Sequence, residues 1–239
     1  MSFLTHLVCP ECGRELSAAQ VQHLCPCGSP LFAVYDLEAA ARALPREALQ
    51  GREATLWRYW ELLPVLKPEN RISLGEGFTP LIPAHRLGAE LGLLHLYIKD
   101  EGQNPTGTFK ARGLCVAVSK AYELGVREIV IPTAGNAGGA LAAYCARVGI
   151  RAHIFMPADT PEANIRESQI AGADVHLVEG TIAEAGGMAT REARERGWFN
   201  ISTLWEPYRV EGKKTMGYEL AEQMGWELPD VIIYPTGGG

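Results

Sequence analysis

The sequence of 239 residues lacks the features that mark several large classes of protein. It has no apolar run near the roughly 18 residues that cross a bilayer, and no signal-peptide pattern precedes Cys9. It has no run of lysine and arginine, and its formal net charge is −6, so binding to nucleic acid by phosphate neutralisation is not expected. We therefore expect a cytoplasmic protein with no membrane or nucleic-acid partner.

Cysteine is scarce outside the start of the chain, where four of the six cysteines lie within 27 residues. Residues Cys9–Gly13 read C-P-E-C-G, and Cys25–Gly28 read C-P-C-G. A cysteine pair followed by glycine is typical of each half of a zinc ribbon, and in the cytosol a metal is expected in preference to a disulfide. The alternative is a ribbon without metal, because the C-x-C spacing is tight. The predicted ligands of a structural zinc ion are Cys9, Cys12, Cys25 and Cys27.

The middle of the chain alternates between two hydrophobic patterns, and this alternation predicts an α/β fold. Such alternation favours a parallel sheet with right-handed crossovers. The predicted strands are Glu128–Ile131, Ala152–Met156, Val175–Val178 and Phe199–Ser202. The predicted helices between them are Asn136–Val148, Pro161–Ala171 and Thr181–Arg196.

The remaining predicted elements flank this region. Short helices are expected at Asp36–Leu44 and Thr55–Leu63, each capped by its first residue and ended by proline. A longer helix is expected at Tyr208–Met224, followed by a strand at Val231–Tyr234. Trp57 and Trp60 share one face of the second short helix, and we expect them to pack against a larger body.

The stretch Gln103–Gly113, Q-N-P-T-G-T-F-K-A-R-G, predicts a rigid turn that opens a helix near Phe109. Thr106 or Thr108 is expected to cap this helix. Lys110 then lies in the first turn, at the positive end of the helix, where a lowered pKa suits a nucleophilic amine. On these residues alone, an ordinary surface lysine is an equal alternative.

Two glycine-containing loops follow predicted strands, at the edge where open α/β sheets bind ligands. Thr133–Gly138 offers backbone amides and the side chain of Asn136, a set that suits a carboxylate. Gly237–Gly239 offers amides that wrap a phosphate. Either loop alone is most simply a turn, but together with Lys110 they supply the parts that hold pyridoxal phosphate.

This combination resembles the fold type II pyridoxal-phosphate enzymes, and within them the threonine synthase family. The resemblance runs from about Leu56 to Gly239 and covers the motifs S-L-G-E-G-F-T-P-L, N-P-T-G-T-F-K-A-R-G, P-T-A-G-N-A-G, E-P-Y-R-V-E-G-K-K-T-M-G-Y-E and P-T-G-G-G. It implies a two-domain α/β fold with parallel sheets, preceded by a zinc-ribbon-like segment. The implied divisions are residues 1–35 for the ribbon, 36–110 with 204–239 for the large domain, and 111–203 for the small domain.

The resemblance also implies a role for each motif. Lys110 is the Schiff-base lysine and the acid and base at the substrate carbons, and Phe109 lies against the cofactor. Asn136 bonds the 3′-oxygen of the cofactor. Lys213 and Lys214 are candidates for contacting a substrate phosphate, the alternative being solvated lysines. The implied carboxylate contacts are Thr133, Ala134, Gly135, Asn136 and Ala137, and the implied phosphate contacts are Gly237, Gly238 and Gly239.

The implied reaction converts O-phosphohomoserine, an amino-acid substrate, and water to threonine and phosphate. Two departures keep alternatives open: Ala111 replaces the usual aspartate, and the T-A-G-N-A-G loop replaces S-T-G-N-T-S. The A-G-N core is similar to that of threonine/serine dehydratases, and a third alternative is a non-catalytic homologue that acts as a binding module. Because the chain stops within the phosphate loop, we expect a fragment of a longer protein, which forms a homodimer when full length.

Overall fold

The computed structural model describes residues 1–236, so the predicted phosphate loop Gly237–Gly239 lies outside the described residues. Three sheets organise this part of the chain: an antiparallel sheet of three strands, an antiparallel pair, and a parallel sheet of four strands. The α/β class with a parallel sheet is thus confirmed. None of the helices among residues 1–236 is both long and apolar enough to cross a bilayer.

The first sheet forms the ribbon and carries the cysteines in its turns. Its strands are β1 (Leu4–Val8), β2 (Glu15–Leu16) and β3 (Phe32–Tyr35), with β1 in the centre. Leu7 on β1 is fully buried, so the ribbon contributes to the main core.

The parallel sheet has the strand order Asp174–Val178, Arg151–Pro157, Glu128–Pro132 and Phe199–Asn200, so the two strands with the longest buried runs are in the centre. Successive side chains of a strand point to opposite faces. Ile129 and Ile131 therefore join one buried cluster, and Val130 joins another on the opposite face. The strands are β6 (Glu128–Pro132), β7 (Arg151–Pro157), β8 (Asp174–Val178) and β9 (Phe199–Asn200).

Helices cover both faces of this sheet, as a parallel sheet requires. Three predicted helices are confirmed with ends shifted by about one residue: α4 (Ala137–Val148), α5 (Glu162–Ile170) and α6 (Ile182–Arg196). Ala140 and Leu141 of α4 pack in the cluster of Ile129, whereas Ala185 and Ala189 of α6 pack beneath Val130.

The other elements surround this sheet. The predicted helix after the ribbon is confirmed, and the Asp36 side chain accepts a hydrogen bond from the Ala39 amide. The helices are α1 (Leu37–Ala43), α2 (His85–Leu91), α3 (Lys110–Glu123), α7 (Arg209–Lys213) and α8 (Thr215–Gln223). Strands β4 (Leu81–Pro83) and β5 (Tyr97–Lys99) form the antiparallel pair. Single turns of 3-10 helix occupy Arg46–Leu49, Pro68–Asn70, Glu101–Gln103 and Pro105–Gly107.

The predicted helix Thr55–Leu63 is wrong in type, because Leu56–Leu62 is 3-10 helix with a break at Tyr59. Within residues 1–236, the Thr55 side chain makes no capping bond. Hydrogen bonds to other segments of the chain form here. The Leu56 amide donates to the Glu76 carbonyl, and Trp57 Nε1 donates to the Ile72 carbonyl. Trp57 is buried against the main core, as expected.

The predicted helix Tyr208–Met224 is also wrong as a single element. It divides at Lys214, where the Thr215 hydroxyl donates to the Gly212 carbonyl and competes with the helical pattern. The predicted strand Val231–Tyr234 is not formed, because no described strand pairs with it. Its side chains Val231, Ile232 and Ile233 are 75%, 60% and 93% exposed.

Helix α6 begins with a capping box, which supplies a test of the fold. The Thr181 hydroxyl accepts from the Glu184 amide, and the Glu184 carboxylate accepts from the Thr181 amide. Thr181→Ala removes one of these bonds and is expected to lower the free energy of unfolding by about 1 kcal/mol. Denaturant unfolding measures this change. Thr190→Ala, the same substitution inside α6, is the control and should be neutral or stabilising. Equal losses in both variants would contradict the cap.

Candidate active site

The turn before Lys110 is held in an unusual backbone conformation. Thr106 and Gly107 both have φ of 63°, in the left-handed region. Glycine adopts this conformation readily, but a β-branched residue does so at a cost of roughly 1–2 kcal/mol. The predicted turn before the helix is confirmed. Thr106 does not cap the helix, because it lies in the turn itself. Thr108 instead accepts a hydrogen bond from the Lys110 amide at 3.4 Å, and the N-cap position is Phe109.

Asn104 ties this turn to the S-L-G-E-G-F-T-P-L segment. Its Oδ1 accepts from the Gly77 amide at 3.0 Å, and its Nδ2 donates to the Glu101 carboxylate at 2.9 Å. A Cβ at Gly77 would lie 2.4 Å from the Leu56 nitrogen, so glycine is required there. The neighbouring Glu76 is fully buried and accepts a bond from the Tyr144 hydroxyl at 2.6 Å. Two distant motifs are thereby locked together.

Arg112 fixes the first turn of α3. Its guanidinium is fully buried and binds two carboxylates, Glu101 and Glu219, through two nitrogens each, at 2.5–2.7 Å. Lys99 Nζ also contacts Glu219 at 2.8 Å, so two cations and two anions balance in this buried cluster. A bidentate pair fixes geometry as well as charge, which holds the start of α3 rigidly beside Lys110.

Helix α7 lies directly against α3 because glycine occurs at both contact points. A Cβ at Gly113 would lie 2.8 Å from the Arg209 carbonyl oxygen, and one at Gly212 would lie 2.0 Å from the Arg112 carbonyl oxygen. The backbones therefore touch, with room for no side chain between them. This contact brings the charged residues of α7 close to Lys110.

Lys110 is half-buried, and its Nζ lies 4.2 Å from the centre of the Phe109 ring. Burial lowers the pKa of Lys110, and the positive charge of Arg209 lowers it further. The expected direction is confirmed, but the leading cause is burial. The edge of Tyr234 packs on Phe109, with ring centres 5.7 Å apart.

Two further charged groups of this region have altered pKa values. Burial lowers the pKa of Lys213 to about 8, with contributions from Arg209 and Lys110, so the three cations are neighbours. Burial raises the pKa of Glu206 to about 7, although the amides of Tyr208 and Arg209 donate to its carboxylate at 2.8 Å.

Two buried donors near Lys110 have no hydrogen-bond partner among residues 1–236: Arg209 Nε and the Thr106 hydroxyl. A buried polar atom without a partner is unfavourable by roughly 1–3 kcal/mol. Together with the cations at Lys110 and Lys213, these donors fit an anion such as a phosphate. The residues present therefore suit a phosphorylated cofactor or substrate.

The loop Thr133–Gly138 lies at the carboxyl end of β6, as expected, and opens α4. Thr133 Oγ1 accepts from the Gly135 amide at 3.2 Å, and Asn164 Nδ2 donates to Asn136 Oδ1 at 3.0 Å. A Cβ at Gly138 would lie 2.6 Å from Met156 Cε, so this packing favours glycine where the family pattern has serine. Helix α4, which this loop opens, also contacts the turn Pro105–Gly107.

Two surface cavities, of about 330 and 1030 Å³, lie away from this region. The smaller lies between His23 of the ribbon and Phe199 of β9, and the larger lies beside α6 and β8. Neither is lined by Lys110 or Asn136. The candidate active site is therefore identified by the charged side chains and loops around Lys110, and not by either of these two cavities.

Arg209 and Glu206 are the site residues that motif reasoning did not single out. The sequence does contain an indication of these two residues, because both belong to the segment E-P-Y-R-V-E-G-K-K-T-M-G-Y-E, where charged residues alternate with apolar ones. Their burial could not be predicted from that segment alone, since it depends on contact with α3.

The four cysteines of the ribbon converge at a second, separate site. Their sulfur atoms all lie within 4.8 Å of one another, with Cys9 and Cys27 separated by 3.5 Å and Cys12 and Cys25 by 3.6 Å. Four thiolates around zinc are expected roughly 3.8 Å apart, given Zn–S bonds of about 2.3 Å. A hydrogen bond from the Cys12 amide lowers the pKa of Cys9 to about 6. A hydrogen bond from the Cys27 amide also lowers the pKa of Cys25, but burial and the neighbouring thiols outweigh it and raise that pKa to about 12. The cluster therefore fits a tetrahedral metal ion.

Residues 72–239 match the model of the pyridoxal-phosphate dependent enzyme family. The chain belongs to that family, whose cofactor is pyridoxal phosphate. It is 37% identical over 230 residues to threonine synthase of Methanocaldococcus jannaschii and 35% identical over 234 residues to threonine synthase of Methanosarcina acetivorans. These alignments cover 96% and 97% of the chain and 56% of each relative, so the chain spans about half the length of these curated relatives.

A solved structure supports the same fold class. Threonine deaminase isoform 2 from Solanum lycopersicum matches with a TM-score of 0.56 and 30% identity, over 61% of this chain and 40% of that one. The fold type II assignment is thus confirmed. The division into domains at residues 35, 110 and 203 stays a prediction.

The cysteine cluster predicts that the whole chain binds about one zinc ion. Cys9→Ser removes a ligand and is expected to abolish tight binding, because four-coordinate structural sites need all four ligands. Metal analysis after gel filtration measures the zinc content. Cys145→Ala is the control, because Cys145 is a buried cysteine on α4 that does not belong to the group of four. Zinc-free wild-type protein, after expression with zinc, would contradict the site.

Proposed function

We propose that this chain is part of a threonine synthase-type lyase, which converts O-phosphohomoserine and water to threonine and phosphate. One observation carries this proposal: the half-buried amine of Lys110 lies beside two further cations, Arg209 and Lys213. Bound at Lys110, pyridoxal phosphate supplies an electron sink for carbanions at the substrate carbons.

Lys110 holds the cofactor and moves protons at the substrate carbons. The lowered pKa leaves more of its amine neutral near pH 7, the form that attacks a carbonyl and accepts a proton. Phe109, whose ring lies beside the amine, packs against the cofactor face and helps to exclude water. The rigid pair of Arg112 with its two carboxylates keeps the amine in place.

The loop Thr133–Ala137 takes the substrate carboxylate through its backbone amides at the start of α4. Asn136 donates to the 3′-oxygen of the cofactor. Its Oδ1 already accepts from Asn164, which leaves the amide nitrogen as the donor for this bond. Gly237–Gly239, beyond the described residues, hold the cofactor phosphate.

Lys213 binds the phosphate of the substrate in this proposal. Its half-buried position beside Lys110 supports this role over that of a solvated surface lysine. Lys214 is the other candidate, and its amine is paired with Glu211.

A threonine or serine dehydratase is the second candidate. It is favoured by the similarity to threonine deaminase and by Gly138, which lacks the hydroxyl that the threonine synthase pattern places there. The two candidates share Lys110 and the cofactor, and they differ in whether the substrate carries a phosphate. The non-catalytic alternative is less well supported, because Lys110 is half-buried with a lowered pKa, and a binding module does not need such a lysine.

The wider assignments follow from the same proposal. Zinc in the ribbon is structural, since four cysteines leave no open position for chemistry. The complete protein is cytoplasmic and forms a homodimer.

Removal of the Lys110 amine tests the cofactor role. In a version that includes the residues expected after Gly239, Lys110→Ala should abolish the visible absorption band of lysine-bound pyridoxal phosphate. Lys67→Ala, at an exposed position, is the control and should keep it. An unchanged band in Lys110→Ala would contradict the assignment.

The substrate is decided by two assays on that version. We expect threonine and phosphate from O-phosphohomoserine, and little 2-oxo acid from threonine or serine. Efficient production of 2-oxo acid from threonine, without threonine formation from O-phosphohomoserine, would establish the dehydratase instead.

Lys213→Met tests the phosphate contact. Loss of a hydrogen bond to a charged group is expected to remove roughly 1.5–3 kcal/mol of binding, which raises KM for O-phosphohomoserine tenfold or more. Steady-state kinetics measures the change, with Lys67→Met as the control. A weakened affinity for pyridoxal phosphate, with KM unchanged, would place Lys213 at the cofactor phosphate and contradict this role.

A further inference from the structure

The ribbon contacts the helix that carries the site cations through the side chain of Tyr35. The Tyr35 hydroxyl, at the end of β3, donates to Glu211 Oε2 at 2.5 Å. Glu211 also accepts from Lys214 Nζ, which lies 4.1 Å from the centre of the Tyr35 ring. The three side chains form a closed group at the junction of the ribbon and α7, defined here as the Tyr35 cluster.

The hydrogen bond between Tyr35 and Glu211 is shielded from solvent, because Glu211 is only 7% exposed. Burial raises the pKa of Tyr35 well above its usual value, and Glu211 raises it further. The hydroxyl therefore stays protonated and remains a donor over the physiological pH range. A hydrogen bond to a charged group is stronger than one between neutral groups, and here it acts on a helix of only five residues.

Helix α7 is held between two surfaces. On one side its Gly212 touches the backbone of Arg112, and on another Glu211 receives the Tyr35 hydroxyl. The same short helix carries Arg209, whose charge lowers the pKa of Lys110, and Lys213, whose own pKa is lowered in part by the charge of Lys110. Since α7 has only five residues, a displacement at Glu211 displaces both cations.

We propose that Tyr35 is a positioning residue for the Lys110 site: its hydrogen bond to Glu211 fixes α7 and thereby holds Arg209 and Lys213 beside Lys110. The ribbon thus contributes to the active site through the Tyr35 hydroxyl. The inference rests on the proposed function only in taking Lys110 as the cofactor lysine.

The physical consequence concerns the reactivity of Lys110. When α7 is fixed, repulsion from its cations favours the neutral amine. When the Tyr35 hydroxyl is removed, α7 moves more freely, the repulsion weakens, and a larger fraction of Lys110 is protonated at neutral pH. Burial of Lys110 is unchanged, so the effect is partial.

Tyr35→Phe tests this directly, because it removes one oxygen atom and keeps the ring. The matched control is Tyr97→Phe, on β5, where the side chain is 42% exposed. In the cofactor-free chain, the rate of Lys110 acetylation by acetic anhydride is measured against pH by mass spectrometry. We expect Tyr35→Phe to react about threefold more slowly at pH 7, the change that half a pKa unit produces, and Tyr97→Phe to match the wild type.

Hydrogen exchange of the α7 amides is measured on the same three proteins, with α5 as the internal check that the fold is kept. Faster exchange in α7 together with slower acetylation of Lys110 supports the proposal. Unchanged acetylation overturns it, whether or not α7 exchanges faster, because Tyr35 is then only structural. Neither measurement needs bound cofactor, so a failure of the protein to bind pyridoxal phosphate refutes the proposed function without deciding the role of Tyr35.

Discussion

The arrangement of the site depends on the buried guanidinium of Arg112 and the two carboxylates that hold it. Glu101 precedes α3 and Glu219 lies on α8, so one side chain joins three separate segments two residues after Lys110. A buried charge without its partners is strongly unfavourable, whereas a fully paired and hydrogen-bonded set is tolerated. Lys99 completes the balance of charge. The lysine is therefore carried on a helix whose first turn has little freedom to move.

The second constraint is the close contact of α3 with α7, which glycine makes possible at Gly113 and Gly212. Its consequence is electrostatic, because it sets Arg209 and Lys213 beside Lys110 and keeps three positive charges together. Such an arrangement is unfavourable by itself and becomes favourable when an anion binds. Arg209 Nε, which has no hydrogen-bond partner among residues 1–236, favours an anion for the same reason. The charge of Arg209 adds to burial in lowering the pKa of Lys110, and preorganised positive charge of this kind suits the binding of a phosphate group.

The sequence predicted the parts of the fold that follow from local periodicity. Strands β6 to β9 and helices α4 to α6 lie where their apolar spacing indicated, and Lys110 opens α3 as the turn residues required. Two elements were not predictable from periodicity. The backbone of Leu56–Leu62 bonds to a distant segment, and a side-chain bond from Thr215 to Gly212 divides the last predicted helix. The lowered pKa of Lys110 was expected from the helix end, whereas burial and Arg209 cause it. Arg209 is remote in sequence, and only the packing of two glycines brings it near.

The central claim is that Lys110, and no other lysine, bonds to the cofactor. Lys213 is the strongest competitor, because its pKa is lowered to about 8. Incubation with pyridoxal phosphate, reduction with borohydride and peptide mass spectrometry locate the modified lysine at limiting cofactor concentration. The account predicts a single phosphopyridoxyl group on the peptide that contains Lys110. Modification of Lys213, or an even distribution over surface lysines, would contradict it.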